Sequence, residues 1–520
     1  MSCTSAELTR SLPSSYRSKR LAATDARGVL VTPTDPRALE LFEKALAQYQ
    51  SYLGDPFATI DEALAVDPRF VVGHVFRAMV LATLTERRFI ERARVSVASA
   101  EALLPQANAR EKRLTAAARR LVDGEWDEAC RHLDTLLVEH PRDALAIQTA
   151  HLMDFYRGDA LNLKQRIVRV LPHWSANVPG YSYILGMYAF GLEECNQYAE
   201  AEDIARRALD LEPKDAWAVH AGAHVFEMTG RVDEGAAWLA SRERDWAPDN
   251  GLAFHNYWHM ALFLLDHERY AEALAVYDRH IHESPPDSVL QLLDATALLF
   301  RLHLEGVEIG ARAVALARNW ASRLDVERGF YVFNDVHAMM AFTMAGWEKE
   351  STRLLADLEW TVKNGSGSNR RMTREVGLPI ARAIRAFGRQ RYDETIVLLR
   401  PVRDLASRFG GSHAQRDVLT LTLIEAAIRN GRSSLARHYI AERTFVRPTS
   451  QLGTRLAARA QEMDREPTPT TLRDATPETD GLEVRRVALS GRCELEYADR
   501  GEGPAVLLLH GLTDSWRSFE

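Results

Sequence analysis

Two pairs of histidines carry the chemistry most open to inference. His220 and His224 stand four residues apart, as do His255 and His259, so each pair faces one side of its helix. The pairs recur at an interval of 35 residues (255 − 220 and 259 − 224), and one further step from His259 lands on Asp294. Glu227 follows His224 by three residues and joins that face. Imidazoles and carboxylates brought together can bind a divalent metal, exchange protons with a substrate, or hydrogen-bond one another into a stiffening network. Two HxxxH pairs on neighbouring helices supply four nitrogen donors, so His220, His224, His255 and His259 are the candidate metal ligands. HxxxH discriminates weakly, however, and the chain has no HExxH. A polar network is therefore the first reading, a ligand-binding or catalytic pocket without metal the second, and a divalent-metal site the third. No other cofactor is expected.

Asp335 and His337 lie on a later helix and are expected to approach the histidines across a groove. Trp258, like Trp217 and Tyr257, offers a ring on which a ligand could stack, although repeat-core aromatics are the commoner case. Arg416 suits a carboxylate entering the groove, and an interhelix ion pair or cap is its plainer role. His280 and His282, two residues apart, point away from each other on a helix. Gly365-Ser366-Gly367-Ser368 reads as a loop and lacks the Lys-Ser/Thr of a phosphate loop.

Such side chains need regularly stacked helices to hold them, and the chain supplies the pattern. From Tyr181 to Pro213 one helix carries Leu185, Gly186, Tyr188 and Ala189. A second carries Tyr198, Ala201, Ala205, Ala208 and Leu211, and Pro213 stops it. This is the helix–turn–helix unit of a tetratricopeptide repeat, with its period of about 34 residues. Equivalent pairs continue to about residue 446, with looser helices upstream from Ala38. Gly124, Gly230, Gly346 and Gly431 sit where a left-handed residue would end a helix. Each amphipathic pair must stack on its neighbours to bury its apolar face. The fold class is therefore all-α, a right-handed α-α superhelix whose first helices line a concave face. Its expected parts are an N-terminal extension (1–36), the superhelix (37–446), a linker (447–481) rich in Pro, Thr, Asp and Glu, and a segment of strand-like alternation (482–520).

The composition narrows the partners. With 65 Lys and Arg against 72 Asp and Glu the net charge is −7, which provides no basic field for nucleic acid or an anionic membrane surface. No apolar run approaches the roughly 20 residues of a membrane span, and the N-terminus has no signal-peptide core. Four scattered cysteines, with no CxxC, fit a reducing cytoplasm.

Several motifs go beyond repeat consensus. They include Asp215-Ala216-Trp217 with His220, His224 and Glu227-Met228, the run His255-Asn256-Tyr257-Trp258-His259, and Arg301-Leu302 with Glu305-Gly306-Val307. Others are Phe333-Asn334-Asp335 with His337, Val376-Gly377-Leu378-Pro379, and Gly410-Gly411-Ser412 with Ala414-Gln415-Arg416-Asp417. On these, residues 38–445 resemble the tetratricopeptide repeat protein 38 family, which implies the superhelix and no particular reaction. The run Ala505-Val506-Leu507-Leu508-Leu509-His510-Gly511 resembles the opening of an α/β-hydrolase domain, where a strand leads into part of an oxyanion hole. No GxSxG occurs in the chain, so this segment is expected to be incomplete.

Two functions follow. The first is a cytoplasmic binding or scaffold protein whose concave groove holds a peptide, a protein segment or a small molecule beside the histidines. The second is an enzyme, using either the groove histidines for acid–base or hydrolytic chemistry or a longer chain with a full hydrolase domain. A scaffold requires an open groove and histidines buried among satisfied partners. A groove enzyme requires convergent histidines around a closed cavity. Oligomeric state is left open.

Overall fold

Short polar residues start the helices. Asp55 accepts from the backbone N–H groups of Phe57 and Ala58, Asp215 from those of Trp217 and Ala218, and Ser412 forms a capping box with Gln415. The computed structural model describes residues 23–32, 34–282 and 288–463, and the backbone of 483–488 and 494–499. The helices begin with α1 (Pro36–Ser51), α2 (Pro56–Val66), α3 (Val71–Thr83), α4 (Arg87–Ala102), α5 (Ala109–Val122) and α6 (Trp126–Glu139). Next come α7 (Ala144–Tyr156), α8 (Ala160–Val170), α9 (Tyr181–Glu193), α10 (Tyr198–Leu211), α11 (Ala216–Thr229) and α12 (Val232–Ser241). The short α13 (Glu243–Trp246) leads to α14 (Ala253–Asp266), α15 (Tyr270–Val276), α16 (Val289–Leu304), α17 (Arg312–Glu327), α18 (Val332–Ala345) and α19 (Glu348–Asn364). The last are α20 (Gly367–Met372), α21 (Leu378–Gly388), α22 (Tyr392–Arg403), α23 (His413–Arg429), α24 (Ser433–Val446) and α25 (Gln451–Glu462). The described residues between 23 and 463 form one compact unit, a solenoid of paired α-helices. Gly124, Gly230, Gly346 and Gly431 all have φ between +67° and +79°, the left-handed value expected of them.

Paired helices differ in burial, and the difference decides what the inner face is. In α11 twelve of 14 residues are buried, whereas in α10 five of 14 are. A helix buried that completely is covered on both flanks. First helices α11, α14, α16 and α18 pack in succession, and α23 lies against both α16 and α11. Arg301 of α16 fixes this crossing, donating to the carbonyls of Ala297, Ala414 and Gln415 at 2.9, 2.7 and 3.3 Å. Distant repeats also meet. The Glu327 carboxylate accepts from the N–H groups of Arg87 and Arg88, and the Tyr331 hydroxyl donates to the carbonyls of Tyr156 and Phe409. The superhelix thus winds until early and late repeats touch, and the open concave groove expected from the repeat pattern is closed.

Two expected boundaries shift. The linker was placed at 447–481, but residues 447–463 belong to the solenoid. Ser450 caps α25 and donates to Asp266 at 2.6 Å, and Leu452, Leu456 and Ala460 bury one face at four-residue spacing. The polar composition of that stretch conceals this stripe. Within the 1–36 extension, β1 (Ala23–Thr24) and β2 (Leu30–Val31) form a hairpin, Arg27 pairs with Glu43 at 2.8 Å, and Thr32 N–H donates to Glu111 at 2.7 Å. In the second unit, β3 (Glu483–Ala488) and β4 (Glu494–Asp499) pair antiparallel, with Glu483 opposite Asp499. The run Ala505–Leu509 and the following His510-Gly511 lie outside the described residues.

Arg301→Met keeps the aliphatic stem and deletes the guanidinium that joins α16 to the Ala414 and Gln415 carbonyls of α23. We expect a loss of roughly 3 kcal/mol, at about 1.5–3 kcal/mol per hydrogen bond from a charged group, read as a lower urea midpoint with faster amide exchange in α23.

Candidate functional site

The four histidines converge. His220 and His224 on α11 face His255 and His259 on α14, and their ring centroids stand 4.4 to 5.2 Å apart. His220 Nε2 and His255 Nε2 are 3.0 Å apart. One nitrogen from each ring lies within 4.8 Å of the other three, so these residues can hold a metal ion. His220, His224 and His259 are fully enclosed, and His255 retains a little exposure.

Carboxylates surround the rings. His255 Nδ1 donates to Asp294 Oδ2 at 2.7 Å and His259 Nδ1 to Glu227 Oε2 at 2.9 Å. His224 Nδ1 lies 3.5 Å from Glu193 Oε2 of α9. Asp294, level in register with His259, bonds His255 one turn earlier on the neighbouring helix. Burial lowers the pKa of His220, His224 and His259 well below the usual imidazole value, and neighbouring imidazoles lower it further. Burial raises Glu227 to about 7, against the pull of Arg447, and raises Asp294 against the pull of His255. Glu193 is raised well above its ordinary value by burial and then by Glu194. Trp258, fully buried, stacks on His255 with ring centroids 5.3 Å apart, and the Arg301 guanidinium lies over the Trp258 ring, 5.4 Å from its centroid.

Above the cluster lies a chamber of about 130 Å³. Tyr49, Tyr52, Phe155, Tyr156, Trp217, Phe254, Leu290 and Leu293 line it, and His220, His224, His255 and Asp294 form its polar floor beside Ser412 and Gln415. Its walls come from α1, α7, α11, α14, α16 and α23, which are far apart in sequence. This partly open space lies where the concave groove was expected, narrowed by α23 and by the aromatic residues of α1 and α7.

Other candidates lie elsewhere. Asp335 accepts from Gly329 N–H at 3.2 Å, and His337 donates from Nδ1 to the Phe333 carbonyl at 2.8 Å. Their expected approach to the histidines does not occur, since α16 stands between α18 and α14. Arg416 takes its plainer role, pairing with Glu194 at 3.2 Å and bonding the Gly411 carbonyl. His280 stacks on Tyr257 and His282 on Tyr277, so they are apart as expected. Glu193 was missed, although it stands one 34-residue period before Glu227 (227 − 193). His151 of α7 was missed as well, edge-on to Trp217 and Phe190 at 5.7 and 6.1 Å.

No family model matches the chain. Among solved structures it is similar to the Cut9–Hcn1 heterotetramer of the APC/C, with 11% identity over 81% of this chain and 76% of that one and a TM-score of 0.42. It is similar to human IFIT1, solved as a dimer with m7Gppp-AAAA, with 14% identity over 83% and 96% and a TM-score of 0.39. For yeast Tom70 the figures are 12%, 82% and 96%, with a TM-score of 0.25. These likenesses concern fold and say nothing of what this chain binds. No helix among the described residues is long and apolar enough to cross a membrane.

His151 supplies a pH test. Burial lowers its pKa from 6.5 to about 3, so between those values the unfolded chain binds a proton that the folded chain refuses. Its contribution therefore destabilises the fold as pH falls below 6.5. Measured by urea unfolding at pH 7.5 and 5.5, His151→Phe should gain on the parent by about 1.4 kcal/mol per pH unit below 6.5. A gap independent of pH would contradict the assignment.

Proposed function

We propose that the protein binds a small molecule in the chamber, with the histidine floor taking its polar end. The supporting observation is the chamber's make-up: aromatic and aliphatic walls, and one polar side at His220, His255 and Asp294. Such a contrast orients an amphipathic ligand, its apolar body toward Phe155, Phe254 and Leu293 and its donor or acceptor toward the imidazoles. Size narrows the class. Its volume of about 130 Å³ approaches that of engineered cavities of about 150 Å³ that admit benzene. The occupant is accordingly a compound of about one ring. Of the three groove ligands expected from the sequence, the small molecule fits this space, whereas an extended peptide needs the open face that α23 covers.

Part of the motif set that resembles the tetratricopeptide repeat protein 38 family falls at this site: His220, His224, His255 and Gln415 line the chamber, and Glu227, His259 and Arg301 stand behind it. Asp335 and His337 of that set lie elsewhere, and membership of the family is proposed on the motifs alone. The enzyme reading through residues 482–520 draws no support from the chamber, which is built entirely within the solenoid.

Leu290 lines the chamber without being fully buried, so Leu290→Trp fills it with little cost to the core. Native mass spectrometry of the full chain should show a small-molecule adduct that this variant loses, with its helical circular dichroism intact. An adduct unchanged by Leu290→Trp, or no adduct together with no thermal shift across a library of single-ring compounds, would defeat the reading.

A further inference from the structure

We infer that His220, His224, His255 and His259 form a site for one late first-row divalent metal ion, held through their Nε2 atoms. The inference stands on the imidazole geometry and not on what occupies the chamber.

Hydrogen bonding within the cluster falls short of satisfying it. His255 Nδ1 gives its proton to Asp294, so its Nε2 is an acceptor, and His220 Nε2 must donate to it. That leaves His220 Nδ1 as a buried acceptor without a partner. His259 Nδ1 gives its proton to Glu227, so its Nε2 lone pair is buried and unpaired. Neither ring nitrogen of His224 makes a hydrogen bond. Four such atoms in one buried cluster are costly, at about 1–3 kcal/mol each. A purely stiffening network would be expected to avoid them. A cation at the centre gives the Nε2 atoms of all four rings a partner at once, which relieves those of His224 and His259 and leaves His220 Nδ1 as it was.

The surroundings are those of a ligand set. A metal-bound histidine usually gives its other N–H to a carboxylate or carbonyl, which fixes tautomer and ring orientation. Here three of the four rings turn Nδ1 outward to a carboxylate: His255 to Asp294, His259 to Glu227 and His224 to Glu193. Three carboxyl groups thus stand behind the rings, those of Asp294 and Glu193 buried and that of Glu227 half-buried. Zinc bonds imidazole at about 2.0–2.1 Å, which sets tetrahedral nitrogens about 3.3 Å apart. The 3.0 Å between His220 and His255 is already near that edge, and the full set lies within 4.8 Å. His χ2 is a soft torsion, so small ring rotations close the remainder. All-nitrogen donors favour zinc, cobalt, nickel or copper over magnesium or calcium.

The test uses the full chain, stripped with a chelator, dialysed and titrated with Co²⁺ alone. One equivalent should bind and give the intense visible d–d bands of tetrahedral cobalt, which excess Zn²⁺ then abolishes. Near-isosteric Asp294→Asn and Glu227→Gln should fold and bind about 10–100-fold more weakly. His255→Gln should lose the bands, while the surface variant His438→Ala keeps them. Leu290→Trp should also keep them, so a chamber ligand and a metal succeed or fail separately. An absence of tetrahedral bands in the folded parent, or bands that survive in His255→Gln, would overturn the assignment.

Discussion

Burial on both flanks obliges every polar atom of α11, α14 and α16 to find its partner inside the protein. In an ordinary solenoid the first helices face solvent along the groove, and their polar side chains are hydrated. Here α23 crosses that face, and water is replaced by neighbouring helices. The histidines answer by lending Nδ1 of His255 to Asp294 and Nδ1 of His259 to Glu227, while Nδ1 of His224 stands 3.5 Å from Glu193. The same loss of water pushes the carboxylates up and the imidazoles down in pKa. Geometry and protonation at the site thus have one cause, the closing of the superhelix.

Closure in turn rests on buried charge. Arg301 is enclosed, and burial lowers its pKa to about 10, yet its guanidinium stays ionised at neutral pH and bonds three carbonyls. Near it Asp417 accepts from Arg443 at 3.1 Å and from Arg447, and Arg447 lies 3.8 Å from Glu227. This chain of opposite charges runs from the α23 crossing to the carboxylate behind His259. Removing Asp417 would strip Arg443 of its counter-charge and leave Arg447 only Glu227 at 3.8 Å, a costly outcome for buried ions. The region that closes the groove and the region that orients His259 are therefore one electrostatic unit.

The parts of this arrangement that repeat were legible in the sequence. An interval of 35 residues placed both HxxxH pairs on stacked helices, and glycines at helix ends fell where a left-handed residue is needed. Periodicity reports only contacts between neighbouring repeats, however. The meeting of α23 with α11 spans about 200 residues and leaves no periodic trace. Hence the groove looked open, and Asp335 and His337 seemed able to reach the histidines, although α16 intervenes. Glu193 went unnoticed for the opposite reason. It sits at the end of an apolar helix, where a lone carboxylate reads as a solvated terminus unless its one-period offset from Glu227 is checked. Residues 447–463 were taken for linker because polar composition outweighed a short stripe of Leu452, Leu456 and Ala460.

The chamber's position decides what an occupant can do to the protein. Stability in a repeat array is roughly a sum of local terms and nearest-neighbour interfaces, so such arrays can open piecemeal. A molecule that touches α1, α7, α11, α14, α16 and α23 adds a term shared by repeats that are not sequence neighbours. Its binding free energy enters as RT ln(1 + [L]/Kd), and it is lost when any one wall moves away. Occupancy therefore stabilises the closed superhelix as a whole rather than one repeat. The histidine floor feels this directly, because His220, His255 and Asp294 belong at once to the chamber wall and to the cluster beneath it. Closure and cluster are therefore coupled: Arg301, which ties α16 to α23, sits on the same helix as Asp294, the partner of His255.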